Sequence, residues 1–436
     1  MVQPLSLHLP PVPENPDAAA RSESYWRAVA DLYETSDDVI NFEHAYGGLL
    51  ARPVLESFVS EIRRINREHP LYARTQAEED LQRIRLRIAE ALGVKVNEIA
   101  LTQSATQAMA SLICGYNKLR PGETVLYADL DYHAMQGAME ALARRCGAKV
   151  VKIALPEPAT RRNCLEAYER ALDQNPKAKV LLLTHISHRT GLLLPVEDII
   201  GLARERAVDV LVDAAHAWGQ IDFRLSASGA DFVGLTLHKW IGAPNGVGAL
   251  FIRESRIRDI DRDICSEELS QDDIQNRTRL GTPNMPAFLA AMTALDLHEA
   301  IGPARKAARL RYLRSLWAEE LRKHPKVEVL TPNDPLAFAG ITSFRIVGKT
   351  HFEENMEIAQ TLLRDYGILT VARNGVSKGS CVRVTPSFCT TKNDIDALTS
   401  AIAAVAEGAR PVPSNDKSVD DPMSVHIGCR RRKLDV

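Results

Sequence analysis

The chain has 436 residues, 45% hydrophobic and 25% charged, with a formal net charge of −2 at pH 7. That near-balance leaves no global field to recruit nucleic acid or an anionic membrane, and neither is expected as a partner. Seven cysteines (114, 146, 164, 265, 381, 389 and 429) include no Cys-x-x-Cys pair, which fits free thiols in a reducing compartment.

Residues 1–20 are Pro-rich, lack the basic-then-apolar order of a signal peptide, and read as a flexible N-terminal arm. No apolar run reaches membrane-spanning length, so a cytoplasmic location is expected. Helical spacing follows over 22–36 (Trp26, Val29, Leu32, Tyr33), then a loop over 41–48 and a helix over 53–67. The whole of 21–75 is expected to be an N-terminal segment packing with a smaller domain. An amphipathic helix over 77–92 ends at Gly93. From residue 98, seven β-rich runs (98–102, 124–128, 149–154, 179–184, 209–212, 232–237 and 247–252) are mostly separated by helical stretches. This alternation predicts an α/β fold, with a mostly parallel seven-stranded sheet in a large domain over 76–284. Helices over 285–300, 303–323, 354–366 and 392–406, with strands over 340–346 and 381–385, predict a smaller α/β C-terminal domain over 285–408. Residues 409–436, polar and including Arg430–Lys433, read as a disordered tail.

Open α/β sheets bind ligands at the carboxyl ends of their strands, so those residues carry the functional reading. Lys239 follows an apolar strand, a hydroxyl and an imidazole, and precedes a Gly-rich turn. Desolvated there, its amine would be a nucleophile able to hold an aldehyde cofactor as a Schiff base; a snorkelling surface lysine is the alternative. Asp213 ends another apolar strand, where a carboxylate needs a cationic or N–H partner such as a protonated pyridine nitrogen. His216 lies three residues on, within reach of such a ring or of a substrate carboxylate. Thr106 opens a helix, suiting it to phosphate or simply to the helix end. Tyr132 or His133 would stack on a flat ring, or be a half-buried loop aromatic. Arg383, inside an apolar strand, requires an anion: a substrate carboxylate or a structural partner. Histidines 185, 188, 216 and 238 lie at strand ends with no cysteine or second carboxylate, so no metal is expected.

The segments Asp129-x-Asp-Tyr-x-Ala-Met135, Thr184-His-Ile-Ser-x-x-Thr-Gly-Leu-x-Leu-Pro195, Val212-Asp-Ala-Ala-His-Ala-x-Gly219 and His238-Lys-Trp-x-x-Ala-Pro-x-Gly-Val-Gly248 occur in this order. Together they make the chain, over about 41–406, resemble the class V aminotransferase family of pyridoxal 5'-phosphate enzymes of fold type I, in particular its isopenicillin N epimerase-like branch. The resemblance implies that Lys239 forms the Schiff base, Asp213 pairs with the pyridine nitrogen and Tyr132 stacks on the ring. It implies a phosphate site of Ala105, Thr106, Thr236 and His238, with His188 near the ring's phenolic oxygen. It assigns Arg383 to the substrate carboxylate, and Thr282 to the phosphate of a neighbouring subunit, hence a homodimer with shared active sites. The implied activity is at Cα of an amino-acid-like small molecule, of epimerase, lyase or aminotransferase type. Alternatives are a decarboxylating or oxygen-using enzyme, a cysteine lyase or desulfurase, and a non-catalytic regulator of the same fold. Three departures stand out. The segment 372–380 lacks the cysteine that desulfurases carry there, His188 stands where desulfurases place an asparagine, and the loop 41–48 departs from the family's Asn-x-Gly-type start.

Overall fold

The computed structural model describes residues 9–36, 38–266, 270–374 and 377–409. In chain order its elements begin with α1 (Pro16–Ala20), α2 (Glu23–Ala30), β1 (Ile40–Asn41), α3 (Arg52–Thr75) and α4 (Ala77–Leu92). The next stretch holds β2 (Ile99–Thr102), α5 (Ala105–Gly115), β3 (Thr124–Ala128), α6 (His133–Cys146), β4 (Lys149–Ile153) and α7 (Arg161–Gln174). After it come β5 (Ala178–Thr184), α8 (Val196–Glu205), β6 (Asp209–Asp213), β7 (Phe232–Thr236) and β8 (Gly248–Ile252). The C-terminal part contains α9 (Met285–Ile301), α10 (Pro303–Leu321), β9 (Val327–Val329), β10 (Thr342–Ile346), α11 (Phe352–Tyr366), β11 (Ile368–Leu369), β12 (Val371–Arg373), β13 (Cys381–Val384) and α12 (Lys392–Glu407).

The expected seven-stranded sheet has the order β2-β8-β7-β6-β5-β3-β4. Its strands are parallel except β8, which runs against both β2 and β7. Helices cover both faces, which explains why the strands read as continuous apolar runs rather than alternating ones. Leu181, Leu183, Leu211, Phe232, Leu235 and Leu250 are fully buried, each worth about 1.5–3 kcal/mol of transfer free energy. The parallel arrangement brings the carboxyl ends of β2, β3, β5, β6 and β7 to one edge. The C-terminal part forms a second, antiparallel sheet of order β12-β13-β10-β9. Leu313, Trp317, Phe344, Leu362, Val382 and Leu398 fill its core.

Three differences from the sequence reading have local causes. Pro16–Ala20, read as part of a loose arm, is a helix: Asn15 Oδ1 accepts from the Asp17 and Ala18 amides, and Trp26 Nε1 donates to the Ala19 carbonyl at 2.9 Å. Helix α3 continues past Arg67 and through Pro70 to Thr75. Its last turns are held where Tyr72 donates to Asp80 at 2.9 Å and Arg64 lies over the Tyr72 ring. The N-terminal segment serves both parts of the protein. Strand β1 pairs with β11 and Phe42 enters the C-terminal core, while Val54, Ile65 and Tyr72 of α3 join the core that holds Leu181, Leu183 and Leu235 of the large sheet.

Candidate active site

Lys239 stands in the hairpin between β7 and β8, whose feet are fixed where Thr236 pairs with Gly248. Leu237 closes the hairpin, donating its amide to the Val247 carbonyl at 3.0 Å. Burial lowers the Lys239 amine to about 8, helped by the Arg383 and Arg373 charges and opposed by Asp213 and Glu43. All these groups therefore act on a single amine. Lys239 Nζ lies 3.1 Å from His216 Nε2, and Trp240 Nε1 lies 3.2 Å from His216 Nδ1. An indole nitrogen can only donate, so Nδ1 accepts and the proton of the neutral imidazole is on Nε2. Burial and the neighbouring Lys239 hold the His216 imidazolium well out of reach. An Nε2–H facing Nζ suits a neutral amine and opposes an ammonium. Trp240 is itself braced, because Lys306 Nζ donates to its carbonyl at 2.8 Å. Gly219 (φ +90°) lets the chain pass there: a Cβ would stand 2.7 Å from the Trp240 carbonyl carbon.

This geometry gives a direct test. Removing the indole donor with Trp240→Phe frees His216 to present an acceptor to the ammonium, so the Lys239 amine should protonate more readily. One hydrogen bond is worth about 1 kcal/mol, so attachment of an aldehyde at pH 7 should slow about fivefold. The pH midpoint of that rate should move upward from about 8. A purely structural role for Trp240 would leave the midpoint in place.

Asp213 is buried at the end of β6, its Oδ1 accepting from the Ala215 amide at 3.0 Å, and burial raises its pKa above the ordinary carboxylate range. Asp131 plays a structural part that the sequence reading did not assign. Its two oxygens accept from the Ala128 amide at 2.6 Å and the Thr184 amide at 2.8 Å, clasping the ends of β3 and β5. Tyr132, next in sequence, caps α6, and its ring meets that of His188 edge-on at 5.2 Å. The Nδ1 of His188 is buried with no hydrogen-bond partner among the described residues. Thr236 and His238 meet through Oγ1 and Nδ1 at 2.8 Å. Ala105 and Thr106 form the first turn of α5, where amides are free of helical partners, and the Thr106 side chain is exposed. Thr282 is exposed in the loop before α9. Of the remaining histidines, His185 is buried beside Phe223 and its pKa falls to about 4, and His133 is exposed beside Tyr132. Among the described residues no three His, Cys, Asp or Glu side chains gather in a metal-ligating group.

Arg383, in β13, is 2% exposed at its side chain. Its Nη1 donates to the His188 carbonyl at 2.6 Å, and its Nη2 forms a short ion pair with Glu43. Arg373, in β12, reaches the same Glu43 oxygen at 3.3 Å. Glu43 arrives from the loop after β1, which lies against the lysine hairpin, with the Gly48 amide donating to the His238 carbonyl at 2.8 Å. A Cβ on Gly48 would sit 1.9 Å from the Lys239 carbonyl oxygen. The site thus gathers Lys239, Asp213, His216, Thr236 and His238 with Arg383. It adds Glu43, Arg373 and Trp240, which sequence reasoning missed. The one available signal was an acidic residue in an otherwise aromatic and small-residue loop.

The aminotransferase class-V family model matches residues 54–398. Isopenicillin N epimerase of Streptomyces clavuligerus is 26% identical over 401 residues, covering 87% of this chain and 99% of that protein. A probable cysteine desulfurase of Xylella fastidiosa is 26% identical over 327 residues, 69% of this chain and 76% of its own length. Among solved structures, the cystine C-S lyase C-DES in complex with cysteine persulfide aligns with a TM-score of 0.74 at 22% identity, covering 84% of this chain and 98% of that one. The apo cysteine desulfurase of Thermococcus onnurineus NA1 aligns with a TM-score of 0.72 at 21% identity, covering 85% and 96%. At such identities the structural likeness shows a shared fold. With a family model spanning most of its length, the chain belongs to the class-V aminotransferase family and is a pyridoxal 5'-phosphate-dependent enzyme.

Proposed function

We propose that the enzyme breaks a bond at Cα of an amino acid whose carboxylate Arg383 holds, with Lys239 moving the proton. The carrying observation is that Lys239 Nζ faces His216 Nε2 at 3.1 Å while feeling Asp213 on one side and Arg383 on the other. The residues fit the cofactor. A lowered amine suits its aldehyde, a buried carboxylate its ring nitrogen, and the free amides of α5 with Thr106, Thr236 and His238 its phosphate. The orphaned His188 Nδ1 suits a polar group on the ring. When bound, pyridoxal 5'-phosphate supplies an electron sink for the bond breaking at Cα.

The side chains divide the work. Asp213 holds a proton at the ring nitrogen, which keeps the sink open. Arg383 fixes the carboxylate and so selects which Cα bond is aligned for cleavage. Lys239 Nζ, kept neutral by the Nε2–H of His216, accepts the Cα proton and returns it. Tyr132 forms one wall of the ring site. Relatives named as cysteine desulfurases give sulfur chemistry comparable support at the level of sequence. The thiols nearest the carboxylate site disfavour a persulfide-forming route: Cys381 is fully buried and burial pushes its thiol up to about 11. Epimerisation, transamination and elimination need no enzyme thiol. The exposed Thr282, with Tyr46 84% exposed beside the lysine hairpin, supports a homodimer with shared sites.

Exchange at Cα tests the reading. Cofactor-loaded enzyme incubated in D2O with a panel of amino acids should place deuterium at Cα of a subset, detected by mass spectrometry. Release of CO2 or substrate-dependent oxygen uptake without Cα exchange would replace it with the decarboxylating or oxygen-using alternative. No exchange and no product from any amino acid would end it.

A further inference from the structure

The carboxylate clamp already contains a carboxylate. One oxygen of Glu43 bridges Arg383 Nη2 and Arg373 Nη2, while its other oxygen is buried with no hydrogen-bond partner among the described residues. The Nε atoms of both arginines are likewise buried and without a partner among the described residues. Arg383 therefore meets Glu43 through one oxygen only, and with Nη1 given to the His188 carbonyl its Nε–H is the donor left for a further anion. The next guanidinium, Arg189, faces Asp129 and Asp131 and also acts on Arg373. The arginine pair and Glu43 together carry one net positive charge, in a place where Arg383 is 2% and Glu43 15% exposed at the side chain.

We infer that Glu43 is a specificity-determining counter-ion that limits this site to ligands bringing one carboxylate. The inference rests on the proposed role of Arg383. A single carboxylate completes the charge balance beside Glu43 and supplies the acceptor that the Nε–H of Arg383 lacks. A second carboxylate leaves an unmatched anion next to Glu43 in a partly desolvated pocket, where charge repulsion is weakly screened. The substrate class that follows is an amino acid or peptide-like amine with one carboxylate near the reacting carbon and a neutral or cationic group nearby, rather than an acidic amino acid.

Succinamate and succinate have nearly the same shape and differ by one carboxylate. Their binding to the cofactor-loaded protein is measured by calorimetry. The wild type should prefer succinamate. In Glu43→Gln the charge is gone and the shape kept, so succinate should gain about tenfold or more relative to succinamate. Glu43→Asp keeps the charge and should keep the wild-type ratio. Arg383→Ala should abolish binding of both. An unchanged ratio in Glu43→Gln, a Glu43→Asp ratio that follows it, or no binding of either anion to Glu43→Gln overturns the inference. Cofactor absorbance is recorded on the same samples. Its failure to depend on Lys239 would mark failure of the functional reading, whereas an unmoved anion ratio with that dependence intact marks failure of this one alone.

Discussion

Replacing Lys239 by alanine is expected to abolish the absorbance shift that pyridoxal 5'-phosphate shows on binding the wild type, and to lower turnover by at least about a thousandfold. Both effects follow from one atom. Lys239 Nζ is the amine whose pKa burial lowers to about 8 and whose neighbour presents a donor rather than an acceptor. The fold should survive, because Gly48 and the hairpin closure engage the backbone of this segment and not the lysine side chain. Truncation leaves the Nε2–H of His216 without its partner, a loss of about 1 kcal/mol. Spectra of wild type and Lys239→Ala titrated with cofactor decide the matter, and an identical shift in the mutant sinks the assignment. Its dependence on pH has a definite sign. Attachment needs the neutral amine, so the rate should rise with pH up to about 8 and level off above it.

Asp213→Ala is the second large effect. On the proposed role of Asp213, its loss takes away the group that keeps the ring nitrogen protonated, and turnover should drop about a thousandfold. Binding through Lys239 should persist. Asp213→Asn separates charge from structure. Its amide oxygen can still accept from Ala215, as the carboxylate does at 3.0 Å, yet it carries no charge to hold the proton. Near-equal loss in both variants, with the Lys239-dependent absorbance retained, is the expected outcome. Full activity in Asp213→Asn would show that the carboxylate only organises the end of β6.

The sequence exposed whatever a strand end declares locally. Asp213 and Lys239 were legible because a polar group terminating a buried apolar run has few inexpensive explanations. The large sheet was legible because parallel strands buried on both faces leave uninterrupted apolar runs. What stayed hidden depends on long-range pairing. Glu43 meets Arg383 across 340 positions of sequence, and Trp240 meets His216 across 24. No local pattern of burial or period encodes such meetings. Short pairings such as β1 with β11 were hidden for the same reason, since two residues carry no period. The continuation of α3 through Pro70 went unseen because a helix-breaking residue was outweighed by contacts from Tyr72 to Asp80 and Arg64.

Strand β8 runs against both of its neighbours, and this reversal has a mechanical consequence. It makes the lysine segment a bridge with two abutments in one sheet, not a crossover loop suspended from a strand at one end and a helix at the other. Loading one foot is resisted by the other, because Thr236 and Thr102 both pair with Gly248. Lys239 is therefore a fixed anvil. On the proposed function, adjustment that admits or releases substrate is expected in the strands that carry Arg373 and Arg383 rather than in the hairpin.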